Sequence, residues 1–153
     1  AYDSRLITAQ LMALSQHVWD NAESAAYIGA ARDGFEDAGP KRYIYLVAHN
    51  DSQVPNLASD IAVRIAGMPV LEDSSYYPYG AEVIEGSTTE SAFVSFDMGD
   101  RATPRGNDSP ATDDGGHDSA ATTDEGVEMI VNFFQTGEIA STCDGPCVFG
   151  SSE

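Results

Sequence analysis

The sequence predicts an α/β fold, with helices packed on a mixed sheet, and three observations predict it. Residues 43–48, Tyr-Ile-Tyr-Leu-Val-Ala, form a short apolar run that breaks off into His49-Asn50-Asp51-Ser52. A run of this length and composition reads as a strand buried on both faces, as in a parallel sheet. The segments at 6–19, 22–35 and 54–66 carry apolar residues at helical spacing. Residues 81–85 and 92–98 alternate around Gly86-Ser87-Thr88-Thr89, which predicts an antiparallel pair. At 153 residues the chain can bury one core, assigned to a single domain over 1–149 with a tail at 150–153.

Taken in order, the first helix presents Leu6, Ile7, Leu11, Leu14 and Val18, with Asp3 or Ser4 as its cap. His17 lies within it and reads as a surface or satisfied histidine. The second helix turns Ala26, Ile28 (or Tyr27), Ala31 and Phe35 inward and ends at Gly39-Pro40. After the strand at 43–48, the helix at 54–66 carries Pro55 in its first turn and stops at Gly67-Met68-Pro69. Residues 71–79 form a loop rich in tyrosine. Residues 127–133 are expected as a fourth strand, antiparallel to 92–98.

The stretch from 100 to 126 differs in kind. Up to residue 125 it is mostly Asp, Gly, Ser, Thr, Ala and Pro, with no large apolar residue. It is expected to be a mobile acidic insertion that adds nothing to folding energy. Asp113, Asp114, His117, Asp118 and Asp124 are metal-ligating types, but their spacing does not fit a twelve-residue calcium loop. A solvated loop is the preferred reading, and no metal or other cofactor is assigned.

Twenty-five acids against seven Lys and Arg give a formal charge of −18. Nucleic acid and anionic membranes need a basic surface, so both are excluded as partners. No window reaches the eighteen or so apolar residues of a membrane span. The acidity suits a saline setting or the surface of a secreted protein. Cys143 and Cys147 flank Asp-Gly-Pro, a turn that can bring the sulfurs together. A disulfide there implies an oxidising, extracellular setting, and free thiols are the alternative. Asn107-Asp108-Ser109 is a glycosylation sequon, and Asn50-Asp51-Ser52 is formally another.

The four residues after the strand at 43–48 carry the chemistry. A strand's carboxyl end is where open α/β sheets place ligands. A histidine, an amide, a carboxylate and a hydroxyl supply proton transfer and anion binding. The competing reading is structural, with Asp51 or Ser52 capping the helix at 54–66.

His49-Asn50-Asp51-Ser52, with Val54-Pro55 beyond, resembles the second motif of the histidine acid phosphatases, the group that includes phytases. The usual His-Asp is replaced by His-Asn-Asp. That offset is similar to the His-Ala-Glu of the multiple inositol-polyphosphate phosphatases. Further segments follow in family order: residues 77–85, 93–96 and 127–132, then the Cys143–Cys147 loop. The resemblance covers roughly residues 40–149 and only the family's C-terminal half. It implies a partial three-layer sandwich of that type. It also implies catalysis by His49 and Asp51, with His49, Asn50 and Ser52 holding the phosphate.

The family's first motif, Arg-His-Gly-x-Arg-x-Pro, is absent, and no His-Gly pair occurs. Two functions follow as expectations. In one, the chain is the C-terminal part of a secreted phosphatase that hydrolyses phosphate monoesters only with the missing nucleophile-bearing half. In that case Asp51 protonates the leaving oxygen. In the other, it is a non-catalytic extracellular subunit that keeps the fold and assembles with other copies of itself.

Overall fold

The computed structural model describes residues 4–19, 24–51, 53–99 and 116–149. The elements run α1 (Arg5–Trp19), α2 (Ser24–Asp33), β1 (Ile44–His49), α3 (Asn56–Ala66), β2 (Val70–Leu71), β3 (Val83–Ile84), β4 (Ser87–Thr88), β5 (Ala92–Asp97), α4 (Gly116–Ser119), α5 (Asp124–Thr136) and β6 (Ile139–Ala140). Four strands make a parallel sheet in the order β1-β5-β2-β3. β4 and β6 form a separate antiparallel pair. Helices on a mostly parallel mixed sheet are the α/β arrangement that the sequence predicts.

β5 is central because it is apolar on both sides. It pairs with β1 from Ile44↔Ala92 to His49↔Asp97, and with β2 at Val70↔Phe93. Strand alternation then divides the core. Ala92, Val94 and Phe96 share one cluster with Leu71, Met129 of α5, Ile139 and Cys147. Phe93 shares another with Val63 and Ala66 of α3, and Ile28 of α2 packs against it. β1 follows the same alternation, with Leu46 and Ala48 in the first cluster and Tyr45 and Val47 in the second. The sheet therefore has helices against both faces.

Two arginines fasten helix ends. Arg32 Nη1 donates to the carbonyls of Ile65 and Ala66 in the last turn of α3. Arg42 Nη1 donates to Gly137 O at 2.8 Å, at the end of α5, and to Thr89 O. A cation there meets both the unpaired carbonyls and the negative end of the helix dipole.

Several expectations fail for identifiable reasons. Residues 127–133 are not a strand but the body of α5. Gly126, Met129, Ile130 and Phe133 recur at i, i+3, i+4 and i+7, a helical stripe that the β-prone composition conceals. The termini add to it. Thr123 accepts from Gly126 N at 3.0 Å, Asp124 and Glu125 occupy the first turn, and Gly137 closes the helix in the left-handed region. Residues 81–85 and 92–98 do not pair as a hairpin. β3 pairs parallel to β2, while Ser87 and Thr88, expected in the turn, pair with Ala140 and Ile139. β1 and β2 occupy both edges of β5, so none is left for β3.

Residues 116–125 are ordered structure, not part of a mobile insertion. They include α4, the buried Ala120 and the cap of α5. The remainder of that insertion, 100–115, lies outside the described residues. Phe35, expected inward, is 61 % exposed. The apolar face of α1 is exposed too, with Leu6 at 67 %, Leu14 at 73 % and Val18 at 75 %.

Candidate functional site

β1 delivers His49 as its last residue, and the chain then reverses sharply towards α3. Asn50 takes a left-handed conformation, φ 63°, which asparagine tolerates better than most residues. Its N–H donates to Asn56 Oδ1 at 2.7 Å, and Asn56 Nδ2 donates to Ala48 O at 2.8 Å. One amide side chain thus bridges the backbone on either side of His49.

The reversal buries Asp51, which is 6 % exposed. Its Oδ1 accepts from the N–H groups of Gln53 at 2.7 Å and Val54 at 3.0 Å. This is an Asx-type turn ahead of the helix. The cap position of α3 belongs to Pro55, with no side-chain cap, so the capping role weighed for Asp51 is not the one it takes.

Asp51 Oδ2 lies 2.6 Å from His117 Nδ1. A carboxylate oxygen accepts hydrogen bonds and donates none. In the contact to His117 the ring Nδ1–H is therefore the donor. His117 is about one third exposed, against 7 % for the Asp51 side chain. The arrangement is a carboxylate locked inside and an imidazole held at the surface.

His49 stands on the other side of the reversal. Its ring lies 4.8 Å from that of Tyr76, which also meets Phe93 edge-on. Burial lowers the pKa of His49, and the Asp97 carboxylate pulls it back up. His49 Nδ1 is buried without a hydrogen-bond partner among the described residues. Burial, and then the neighbouring Asp60, push the pKa of Tyr76 up. Burial likewise raises Asp60, opposed by Arg64. No hydrogen bond of good geometry joins Tyr76 and Asp60.

The structure thus brings His49, Asn50 and Asp51 together at the carboxyl end of β1, while Ser52 and Asn107 lie outside the described residues. Asn50 is 3 % exposed, so its sequon is closed to a glycan in the folded chain. Asn56 and Asp97 are the residues that sequence reasoning missed, and His117, noted only among metal-ligating types, was placed in a solvated loop. The Asn and the Asp looked like ordinary helix and strand residues. His117 sat in a segment with no periodicity, sixty-six positions from its partner.

Cys143 and Cys147 are bonded, S–S 2.02 Å, with Cα atoms 5.4 Å apart. Their loop lies beside the site. Asp97 N donates to Cys147 O, and Phe149 N donates to Asp97 O. A disulfide fits an oxidising compartment.

A cleft of about 300 Å³ opens elsewhere, near Arg32, Lys41, Arg42, Glu82 and Glu90. Both of its arginines bind helix-end carbonyls, and its carboxylates offset its cations, so it offers no convergent chemistry. Among the described residues, no group of three His, Cys, Asp or Glu could hold a metal ion. None of the described helices is long and apolar enough to cross a membrane.

The fold and site define a class: a parallel-sheet α/β chain with a carboxylate–imidazole pair at its carboxyl edge. Comparison with known protein families, with curated proteins and with solved structures finds no match.

Proposed function

We propose that this chain supplies the acid–base pair of a hydrolase acting on carbonyl esters or amides, with Asp51 orienting His117. The observation that carries the reading is the 2.6 Å contact between buried Asp51 Oδ2 and His117 Nδ1. In such a pair the carboxylate fixes the tautomer and stabilises the imidazolium. His117 Nε2 takes the proton of a hydroxyl nucleophile as its oxygen attacks the carbonyl carbon. It then returns that proton to the leaving group as the tetrahedral intermediate collapses. Water repeats the two transfers to free the acid.

The chain order also supports the reading. A carboxylate after one strand, then a histidine after a parallel neighbour, follows the order of the α/β-hydrolase type, where the nucleophilic serine precedes both. No serine, threonine or cysteine is assigned as nucleophile among the described residues. The disulfide supports a secreted setting.

The histidine acid phosphatase reading uses His49 in place of His117 and gives Asp51 another task. There it must carry a proton to the leaving oxygen, whereas here its two oxygens already meet Gln53 N, Val54 N and His117 Nδ1. One segment matched to that family as a strand, 127–132, is helical. Both points favour the acyl-transfer reading. The non-catalytic subunit reading leaves the carboxylate–imidazole pair without a role.

The test uses the native protein with every co-purifying chain retained. It is assayed on p-nitrophenyl butyrate and p-nitrophenyl phosphate. Asp51→Asn and His117→Ala are each expected to lower ester hydrolysis by about 10³- to 10⁴-fold. Ester hydrolysis that survives His117→Ala, or no ester hydrolysis at all, would overturn the proposal. Phosphate hydrolysis that needs His49 and not His117 would reinstate the phosphatase.

A further inference from the structure

The Asp51–His117 contact depends on the shape of a four-residue reversal, 48–51, and one side chain holds that shape from outside. Asn56 is the first residue of α3. Its amide does not serve the helix. It reaches back to accept from Asn50 N and donate to Ala48 O. Ala48 and Asn50 are each 3 % exposed, so neither backbone group can turn to water. An amide satisfies both because it is donor and acceptor at once. A carboxylate lacks the donor, and an aliphatic side chain lacks both.

The left-handed backbone at Asn50 is the point the bridge secures. A non-glycine residue there is strained and persists only where its surroundings hold it. The residue after it is Asp51. If Asn50 relaxes, the carboxylate swings with the backbone, while His117 is carried on a separate element, α4. A small movement at residue 50 thus becomes a lost alignment between Oδ2 and Nδ1.

We infer that Asn56 is a positioning residue for the carboxylate–imidazole pair, acting on His117 through Asn50 and Asp51 and touching neither reacting atoms nor substrate. This rests on the hydrolase reading above but is tested apart from turnover.

The test is proton NMR of the folded chain. A histidine N–H held by a carboxylate resonates far downfield and exchanges slowly with water. The wild-type chain is expected to show such a signal, absent in His117→Gln and in Asp51→Asn, which assigns it. Asn56→Ala is expected to remove it while methyl dispersion and circular dichroism stay native. Asn56→Asp keeps the acceptor for Asn50 N and loses the donor to Ala48 O. It is expected to shift the signal upfield and broaden it, and it serves as the test should Asn56→Ala fail to fold. A signal unchanged in either folded variant would overturn the positioning role and leave the pair intact. A wild-type chain without the signal would overturn the pair itself, and the positioning role with it.

Discussion

Two histidines near the carboxyl end of β1 obey opposite logic. His117 faces a carboxylate, while His49 is packed against Tyr76 with its Nδ1 enclosed. Burial lowers the pKa of His49, so the folded chain resists a proton that the unfolded chain accepts near pH 6.5. The sign follows from linkage. The unfolded state binds the proton first, so stability falls as pH drops below about 6.5 and stops falling once the folded imidazole also protonates. Urea unfolding between pH 7.5 and 5 measures this. His49→Phe, which keeps a ring against Tyr76, is expected to fall less steeply than the parent, and identical slopes would contradict the assignment. At this scale the sequence was half legible. The motif at 49–51 announced itself because unlike polar groups crowded the end of an apolar strand. Its partner His117 did not, since nothing local marks a residue whose meaning comes from a chain segment far away.

Elements were legible where one pattern stood alone and illegible where two overlapped. β1, β5 and α3 each lie within two residues of expectation, because an apolar run or a capped amphipathic stretch leaves little choice. α5 was misread because Val127, Ile130, Val131 and Phe133 favour strands while their spacing and caps favour a helix. The deciding residue is Gly126, where the turn after α4 comes close to α5. A methyl there would sit 2.1 Å from Ala120 O, a distance that no side-chain rotation relieves. Gly126→Ala is therefore expected to destabilise the chain by about 2 kcal/mol or more, although alanine is the better helix former by about 1 kcal/mol. Thermal unfolding reads the outcome. A raised midpoint would mean that the close approach of residues 120 and 126 is relieved without cost.

For the molecule as a whole, the fold class was readable and the pairing of strands was not. Alternation predicts that a strand is half-buried or fully buried, but it does not name the neighbour. β5 took β1 and β2, and β3 was left at the edge. The outer helices show the same limit. α1 has the heptad-like spacing Ile7, Leu11, Leu14, Val18, yet all four are at least 43 % exposed. A chain lacking residues 1–19 is accordingly expected to melt within a few degrees of the parent, and a drop of ten degrees or more would show that α1 packs on the core. The central place of β5 also has a consequence in time. β1 and β2 come forty-eight and twenty-three positions earlier than their partners in it, counting from Ile44↔Ala92 and Val70↔Phe93, and they do not pair with each other. A growing chain can coil α3 as soon as it emerges, but β1 has nothing to join until residue 92 arrives, and β2 has only the two-residue β3. The sheet is then closed from the middle outwards by its last member, and these long loops must be drawn together before any pairing repays them, which is the slow order of assembly.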